Sequence, residues 1–165
     1  MRSVSEHVAW YCHVSGNVIL TSATAETDQV TVWSIRGGNI VKISTLSLGF
    51  RVRDKDVKMI NVYDTLMICF NILQEASSGV KEIHVYSVVN EVITWTHVLS
   101  RVNSGGVIGL HTINNMIVVH SQSQSKSKFY DIQLTNQHPD HPQVGVFDLM
   151  YIRVAHPTHQ NMYHQ

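Results

Sequence analysis

The stretch that decides the fold is "NMIVVHSQSQSKSKFYDIQL", residues 115 to 134. A short apolar run breaks into polar residues, and the chain then resumes from Phe129 to Leu134 with side chains of alternating character. A continuous apolar run is typical of a strand covered on both faces, whereas alternation is typical of a partly exposed strand. The segment Gln122 to Lys128 between them has no hydrophobic residue, so we expect it to be the exposed tip of a hairpin.

The same pattern occurs three times along the chain. "NVILTSATAETDQVTVWSI" and "TLMICFNILQEASSGVKEIHVYSV" also read as an apolar strand, a polar loop and an alternating strand with a central aromatic residue. These aromatic residues are Trp33, Tyr86 and Tyr130, which are 53 and 44 positions apart. Another apolar run precedes each copy, and a further run follows the first two copies, so each unit holds about four strands, as in the blades of a β-propeller.

The sequence therefore predicts an all-β fold, a WD-like partial β-propeller of about three four-stranded antiparallel blades. The blades are predicted at roughly 8–48, 57–99 and 107–152, within a propeller segment 1–134. A polar segment rich in His, Pro and Gln, residues 135–165, is predicted to hold the last strand and then a tail. An antiparallel sandwich or barrel remains the alternative, because it also explains the alternation, although not the repeat.

The propeller predicts which strands are buried. "MIVV" and "LMICF" are expected to be inner strands, covered on both faces by neighbouring blades. "TVWSI" and "HVYSV" are expected to be outer strands that carry polar residues outward. Since a closed ring needs about four to eight blades, we expect exposed apolar faces and unpaired edge strands that favour aggregation. No helix is predicted.

Composition excludes several classes of protein. With 165 residues, 44% hydrophobic and 15% charged, the chain is expected to fold as one domain with a real core. Twelve basic residues balance twelve acidic ones, which argues against a nucleic-acid groove or a polybasic membrane patch. No apolar run is long enough to span a bilayer and the start does not resemble a signal peptide, so an intracellular chain is expected.

The two cysteines, Cys12 and Cys69, each lie in an apolar, strand-like stretch. We expect both to be small buried side chains in a reducing compartment, with neither a disulfide nor a catalytic role.

Histidine is abundant, with eleven residues, and one alternative function is metal binding. A zinc site needs about four ligands, commonly including thiolates, and no cysteine lies near the C-terminal histidines. We therefore predict no metal site there, and expect the remaining histidines to lie on or beside strands. The C-terminal candidates are His138, His141, His156, His159 and His164.

No catalytic or cofactor-binding residue is predicted. The chain has no G-x-S-x-G elbow, and "SGGVIG" at 104–109 lacks the lysine and the helix of a phosphate loop. The mixed charges of "RVRDKD" at 51–56 predict a solvated linker between blades. A stacking platform for single-stranded nucleic acid could use Trp10, Trp33 and Trp95, but no basic residues are interleaved with them, so core packing is predicted instead.

Several segments in order resemble one known family. "VAWYCHVSGNVILTSAT", "RDKDVKMINVYDTLMICF", "EIHVYSV" and above all "INNMIVVHSQSQSKSKFYDIQL" are similar to the propeller half of the Bulli or Mic-one-like regulators of the Mon–Ccz Rab guanine-nucleotide exchange complex. The resemblance runs from about Trp10 to Leu134. It covers neither the helical C-terminal half of that family nor the start of its propeller, so we expect this chain to be a fragment.

The resemblance implies a non-catalytic subunit. Its partners would be the longin-type subunits of the complex and, indirectly, a late-endosomal Rab GTPase, in support of endosome maturation, autophagy and lysosomal trafficking. The implied location is cytoplasmic and peripheral on late-endosomal and lysosomal membranes, reached through the complex. No cofactor and no nucleic acid is implied, and the remaining alternative is a propeller scaffold unrelated to Rab activation.

Overall fold

The computed structural model describes residues 7–14, 16–72, 80–103, 108–121, 126–136 and 143–147. Nearly all of these residues lie in strands, and a 3-10 helix covers Asp54–Asp56. The strands of these ranges are β1 Trp10–His13, β2 Val18–Ser22, β3 Glu26–Arg36, β4 Asn39–Arg53, β5 Val57–Val62, β6 Thr65–Asn71, β7 Val80–Val89, β8 Val92–Asn103, β9 Ile108–Ile113, β10 Met116–Ser121, β11 Lys126–Asn136 and β12 Gln143–Phe147.

The strands group in fours. Strands β1 to β4 form one sheet in chain order, here called blade 1. Strands β5 to β8 (blade 2) and β9 to β12 (blade 3) are antiparallel groups joined into one eight-stranded sheet. The join is a parallel pairing of β12 with β8, recorded at Gln143 and Val98. The predicted all-β, propeller-like fold is confirmed, while the predicted domain division at residue 134 stays a prediction.

Two-residue turns connect four of the hairpins. Both central residues have positive φ angles in each turn, as a type I′ turn requires. Such turns match the twist of the flanking strands, which explains the frequent Gly and Asn at these positions. The turns are Gly37–Gly38, Tyr63–Asp64, Asn90–Glu91 and Asn114–Asn115.

Blades 1 and 2 also share an irregularity in the hydrogen-bond register between their third and fourth strands. The register shifts between Val32 and Trp33 in blade 1 and between Val85 and Tyr86 in blade 2. In both blades the shift comes directly before the aromatic residue of the third strand. Since a bulge bends the strand and raises its twist, its recurrence shows that the two blades share local geometry as well as strand order.

Two apolar clusters lie between the blades. One cluster joins blade 1 to blade 2, and the other joins blade 2 to blade 3. Strand β6 contributes to both, because Ile68 and Phe70 belong to the first cluster whereas Met67 and Cys69 belong to the second. Neighbouring side chains of a strand point to opposite faces, so the continuous apolar run "LMICF" is explained by cover on both sides, as predicted for an inner strand.

The prediction for "TVWSI" is wrong. This segment is the central part of β3, which lies between β2 and β4 in its sheet, and Val32, Trp33 and Ser34 are all buried. The exposed outer strand of blade 1 is β4, whose first half is largely open to solvent. A small polar residue such as Ser34 can be buried beside a tryptophan, and for this reason alternation alone did not identify the outer strand.

The prediction of a solvated linker between blades at 51–56 holds in part: Arg51, Asp54 and Lys55 are exposed between β4 of blade 1 and β5 of blade 2, whereas Asp56 is buried. Residues 51–53 complete β4, and the 3-10 helix follows directly. Asp56 is buried, and its Oδ2 accepts hydrogen bonds from the backbone N–H of Arg53 at 3.2 Å and from Arg53 Nε at 3.1 Å. The charges therefore pair with one another, as a buried carboxylate requires.

The hairpin of residues 115–134 is confirmed, because β10 and β11 are antiparallel neighbours. Its predicted loop is too long, since β11 begins at Lys126; residues 122–125 lie outside the described residues. Ile117, Val118 and Val119 are buried, while β11 alternates between buried and more exposed positions around Tyr130.

Candidate interaction surface

One end of the blades carries the tight turns. Within a four-stranded antiparallel sheet, the turn after the first strand and the turn after the third lie at the same end, because strand direction alternates. The turns at 37–38, 63–64, 90–91 and 114–115 are all of these two kinds. We call this the turn end; contacts between neighbouring blades hold its turns together.

Exposed aliphatic side chains flank these turns. Each lies within three residues of a turn, and the most exposed is Val92, at 63%. Ile40 and Val41 point to opposite faces of β4, so these side chains share one end of the blades rather than one face. Exposed aliphatic residues of this kind are available to bind another protein. The members of this turn-end surface are Ile40, Val41, Val89, Val92 and Ile113.

An ion pair ties blade 1 to blade 2 at the turn end. Arg36, directly before the Gly37–Gly38 turn, donates from its guanidinium to the carboxylate of Glu91, which lies in the Asn90–Glu91 turn. Both side chains are partly open to solvent, so the pair contributes orientation more than stability. It brings the 37–38 turn of blade 1 close to the 90–91 turn of blade 2.

A polar clasp ties blade 2 to blade 3 at the same end. The backbone N–H of Tyr63 donates to Asn115 Oδ1 at 2.9 Å, and the Tyr63 hydroxyl donates to Asp131 Oδ1 at 3.1 Å. The same carboxylate oxygen accepts from the backbone N–H of Gln133 at 3.0 Å. Tyr63 has φ +48°, a conformation that costs energy in a bulky residue, so these bonds hold a strained backbone in place.

The clasp alters the acidity of the tyrosine. Desolvation and the hydrogen bond to the Asp131 carboxylate raise the pKa of Tyr63 above its ordinary value. The hydroxyl therefore stays protonated and remains a donor across the physiological pH range.

Aromatic rings line the contact between blade 1 and blade 2. Phe50 of β4 meets Phe70 edge to face at 6.4 Å between centroids and His84 at 5.0 Å. Phe70 meets Tyr86 at 5.4 Å, and His84 stacks on Trp95 at 5.1 Å. Such geometries add to the apolar burial.

A half-buried histidine, His97, lies at the contact between blade 2 and blade 3. Burial lowers the pKa of His97, and a hydrogen bond to the backbone of Ile132 partly opposes that shift. Its Nδ1 is buried without a hydrogen-bond partner. His97 is therefore neutral at pH 7, and its protonation would place a charge inside the contact.

A second pair of histidines lies on blade 3. His111 of β9 and His120 of β10 stack with ring centroids 4.6 Å apart, and their Nε2 atoms are 3.5 Å apart. The Nδ1 of His120 is 2.5 Å from Ser127 Oγ. Desolvation and the neighbouring His111 lower the pKa of His120.

The tryptophans do not form a stacking platform. Trp10 and Trp33 are buried, and Trp33 Nε1 donates to Thr21 Oγ1 at 2.8 Å. Trp95 is exposed on β8, where it stacks on His84. Core packing, as predicted, describes the first two tryptophans but not the third.

Both cysteines are free thiols. Burial raises the pKa of Cys69 to about 12, and desolvation raises the pKa of the partly buried Cys12. A thiol is a poor nucleophile in this state, so the expectation of small packed side chains holds for Cys69 and in part for Cys12.

The remaining predicted candidates lie partly beyond the described residues. In the segment "SGGVIG", residues 108 and 109 begin β9, whereas residues 104–107 lie outside the described residues. All five C-terminal histidines also lie outside the described residues. The other histidines predicted on strands are found there: His13, His84, His97, His111 and His120.

Within the described ranges, no group of three or more His, Cys, Asp or Glu side chains is arranged to hold a metal ion. A cleft beside the 3-10 helix has a volume of about 20 Å³, far below the ~300–1,000 Å³ of typical small-molecule sites. No helix in this part of the chain is long and apolar enough to cross a membrane.

Sequence reasoning missed the residues that join the blades. Tyr63 and Asp131 are far apart in the chain and meet only because consecutive blades pack face to face. The sequence does contain one indication of this contact. Tyr63 occupies a turn position that usually favours Gly or Asn, and an unusual turn residue needs a compensating contact.

Comparison with known proteins gives two related matches. The chain is 24% identical over 149 residues to the mouse protein "Regulator of MON1-CCZ1 complex" and 22% identical over 149 residues to the human protein of that name. The chain is distantly similar to these regulators. Each alignment covers 83% of this chain but 23% of the relative, so the chain spans about a quarter of their length. No protein-family model matches the chain.

The relatives are named as regulators, which agrees with the absence of a predicted catalytic residue. The comparison supports a distant relationship to the regulators of this complex, and it does not distinguish the Bulli or Mic-one-like proteins among them.

Proposed function

We propose that this chain is the propeller segment of a non-catalytic regulatory subunit and that its turn-end surface binds partner subunits. The observation that carries the proposal is the similarity, over 83% of the chain, to two proteins named as regulators of the MON1-CCZ1 complex. The repeated four-stranded blades agree with a protein that acts by presenting surfaces.

The turn-end surface has the properties of a docking site. Its aliphatic residues lie on short turns joined by the Arg36–Glu91 pair and the Tyr63 clasp, so they are held in place before a partner arrives. Binding to a preorganised surface costs less conformational entropy than binding to a mobile loop. Polar groups surround the aliphatic side chains, as at the rim of many protein interfaces.

The proposed partners are the longin-type subunits of the Mon–Ccz complex. Through them the chain would support activation of a late-endosomal Rab GTPase, and so endosome maturation, autophagy and delivery to lysosomes. The proposed location is the cytoplasm and, through the complex, the surface of late endosomes and lysosomes. These roles rest on the family resemblance and on the names of the relatives.

The test is co-purification of the mouse MON1 and CCZ1 subunits with the 165-residue chain. We expect the unmodified chain to retain both subunits, and Ile40→Asp combined with Val92→Asp to retain much less, because a carboxylate at each position would be desolvated in the interface. Both residues are exposed in the free chain, so the blades should still fold.

The matched control is Tyr11→Asp, which also adds a carboxylate at an exposed hydrophobic position. Tyr11 is 73% exposed in the middle of β1, away from the turns. Equal retention by all three proteins would exclude the turn-end surface. If the unmodified chain retained neither subunit, the proposed function would be wrong and a propeller scaffold of another kind would be favoured.

A further inference from the structure

We propose that His111 and His120 form a binding site for a divalent transition metal of the zinc class on blade 3. Two imidazoles on adjacent strands supply the nitrogen ligands, and water or a side chain of another molecule completes the coordination. This site uses residues different from those of the turn-end surface and from the C-terminal histidines.

The ladder places the two rings together. His111 is opposite Val118, and His120 is opposite Gly109, so the two histidines are diagonal neighbours on the same face of the β9–β10 pair. This face is opposite to the one on which Ile117 and Val119 pack against blade 2. The site therefore lies away from that apolar contact.

The distance between the ring nitrogens suits a tetrahedral ion. The Nε2 atoms are 3.5 Å apart. A tetrahedral ion with zinc–nitrogen bonds of about 2.0–2.1 Å holds its two nitrogens roughly 3.3–3.4 Å apart, so the two rings are already near the spacing that an ion would require. The rings are 22° from parallel, so the exposed His111 ring must rotate to bring both lone pairs onto one ion.

A second contact prepares His120 as a ligand. Its Nδ1 is 2.5 Å from Ser127 Oγ, on the neighbouring strand β11. When Nδ1 donates its proton to this hydroxyl, Nε2 carries the lone pair, which is the tautomer a metal needs. Metal-binding histidines are commonly oriented in this way by a partner of the other ring nitrogen.

Glycine opposite His120 leaves space for the ring. A Cβ atom at Gly109 would lie 3.6 Å from His120 Cβ and 3.7 Å from His120 Cδ2. The absence of a side chain at Gly109 therefore leaves the space beside Cβ and Cδ2 of His120 unfilled.

The experiment uses the full chain without a polyhistidine tag. The background variant replaces the C-terminal histidines by asparagine, which removes competing ligands. Zinc binding is measured by competition with a chromophoric chelator, and ring ¹⁵N shifts identify the ligating nitrogens. The replaced residues are His138, His141, His156, His159 and His164.

We expect the background variant to bind one zinc ion, with ¹⁵N shifts at the Nε2 of His111 and His120. Adding His111→Asn should weaken binding by more than about tenfold, since second-shell changes alone cost roughly 10–100-fold. Ser127→Ala should weaken it less, because it removes only the orienting contact. His111 is exposed, so His111→Asn should not disturb folding.

His13→Asn is the matched control, because His13 lies on β1 and contacts Gly16 rather than another histidine. It should leave zinc binding unchanged. The inference is overturned if the background variant binds no zinc, or if binding survives both His111→Asn and His120→Asn.

Discussion

The two contacts between blades are built differently. Blade 1 meets blade 2 through a cluster of aliphatic and aromatic side chains, with an ion pair at its exposed end. Blade 2 meets blade 3 through an apolar cluster too, but polar groups are added: the Tyr63 clasp, the half-buried His97 and the parallel pairing of β8 with β12.

The first contact mainly stabilises the packing of its two blades, whereas the second also fixes the orientation of one blade relative to the other. Apolar burial is roughly proportional to area and has no preferred direction, so the first contact tolerates small rotations of the blades. Hydrogen bonds have defined distances and angles, so the clasp of the second contact sets the orientation of blade 3. The first contact should be sensitive to lost volume, and the second to lost polar partners and to pH.

The largest effect is expected for Phe70→Ala. Phe70 is fully buried and contacts both Phe50 and Tyr86, so truncation should lower the free energy of unfolding by about 3–5 kcal/mol. Urea denaturation followed by fluorescence measures the loss. Tyr11→Ala is the control, since that side chain is exposed; equal losses in the two variants would contradict the assigned packing.

A smaller effect is expected for Tyr63→Phe, which removes the bond to Asp131 but keeps the ring. Hydrogen exchange in β10 and β11 should become faster, because the orientation of blade 3 is less well held. A double-mutant cycle with Asp131→Ala should show coupling between the two positions. Strictly additive losses of stability would exclude a clasp between them.

The third effect concerns pH. The pKa of His97 is lowered in the folded state, so the unfolded chain binds the proton more tightly. Stability is therefore retained above the ordinary histidine pKa of about 6.5 and decreases as pH falls below it. Unfolding measured between pH 8 and pH 5 should show a smaller decrease for His97→Gln than for the unmodified chain.

His120 must be tested together with His97, because its lowered pKa also makes the folded chain less stable as the pH falls. His120→Asn should remove a part of the pH dependence that is independent of His97. An unchanged pH profile in His97→Gln would show that this histidine is not desolvated at the contact.

The smallest effect is expected for Arg36→Ala. The pair with Glu91 is exposed, so its loss should cost less than about 1 kcal/mol and should diminish further in high salt. Thermal unfolding at low and high salt measures this. A loss as large as that of Phe70→Ala would show that the ion pair, rather than the aromatic cluster, stabilises the first contact.

Much of the fold was predictable because it depends on local patterns. The apolar runs "LMICF" and "MIVV" are buried as predicted, and the aromatic residues Trp33, Tyr86 and Tyr130 all lie on the third strand of a blade. The exposure of "TVWSI" and, within 51–56, of Asp56 was predicted wrongly. In both segments a polar side chain is buried by a partner that the local pattern does not reveal.

The candidate surfaces were less predictable. The turn-end surface depends on which aliphatic residues lose their neighbours when strands pair, and the His111–His120 pair depends on the register of β9 with β10. A shift of one residue would move one histidine to the other face of the sheet. The sequence carries both residues but not that register.

Sequence by itself determined the secondary structure, the grouping of strands into repeated units and the burial of the apolar runs in β6 and β10, because periodicity and turn chemistry act over a few residues. Tertiary structure decided which groups meet across the blades: Arg36 with Glu91, Phe50 with Phe70, and Tyr63 with Asp131. These pairs are separated by 20 to 68 positions, and their contact depends on the packing angle of whole sheets, which no short segment encodes.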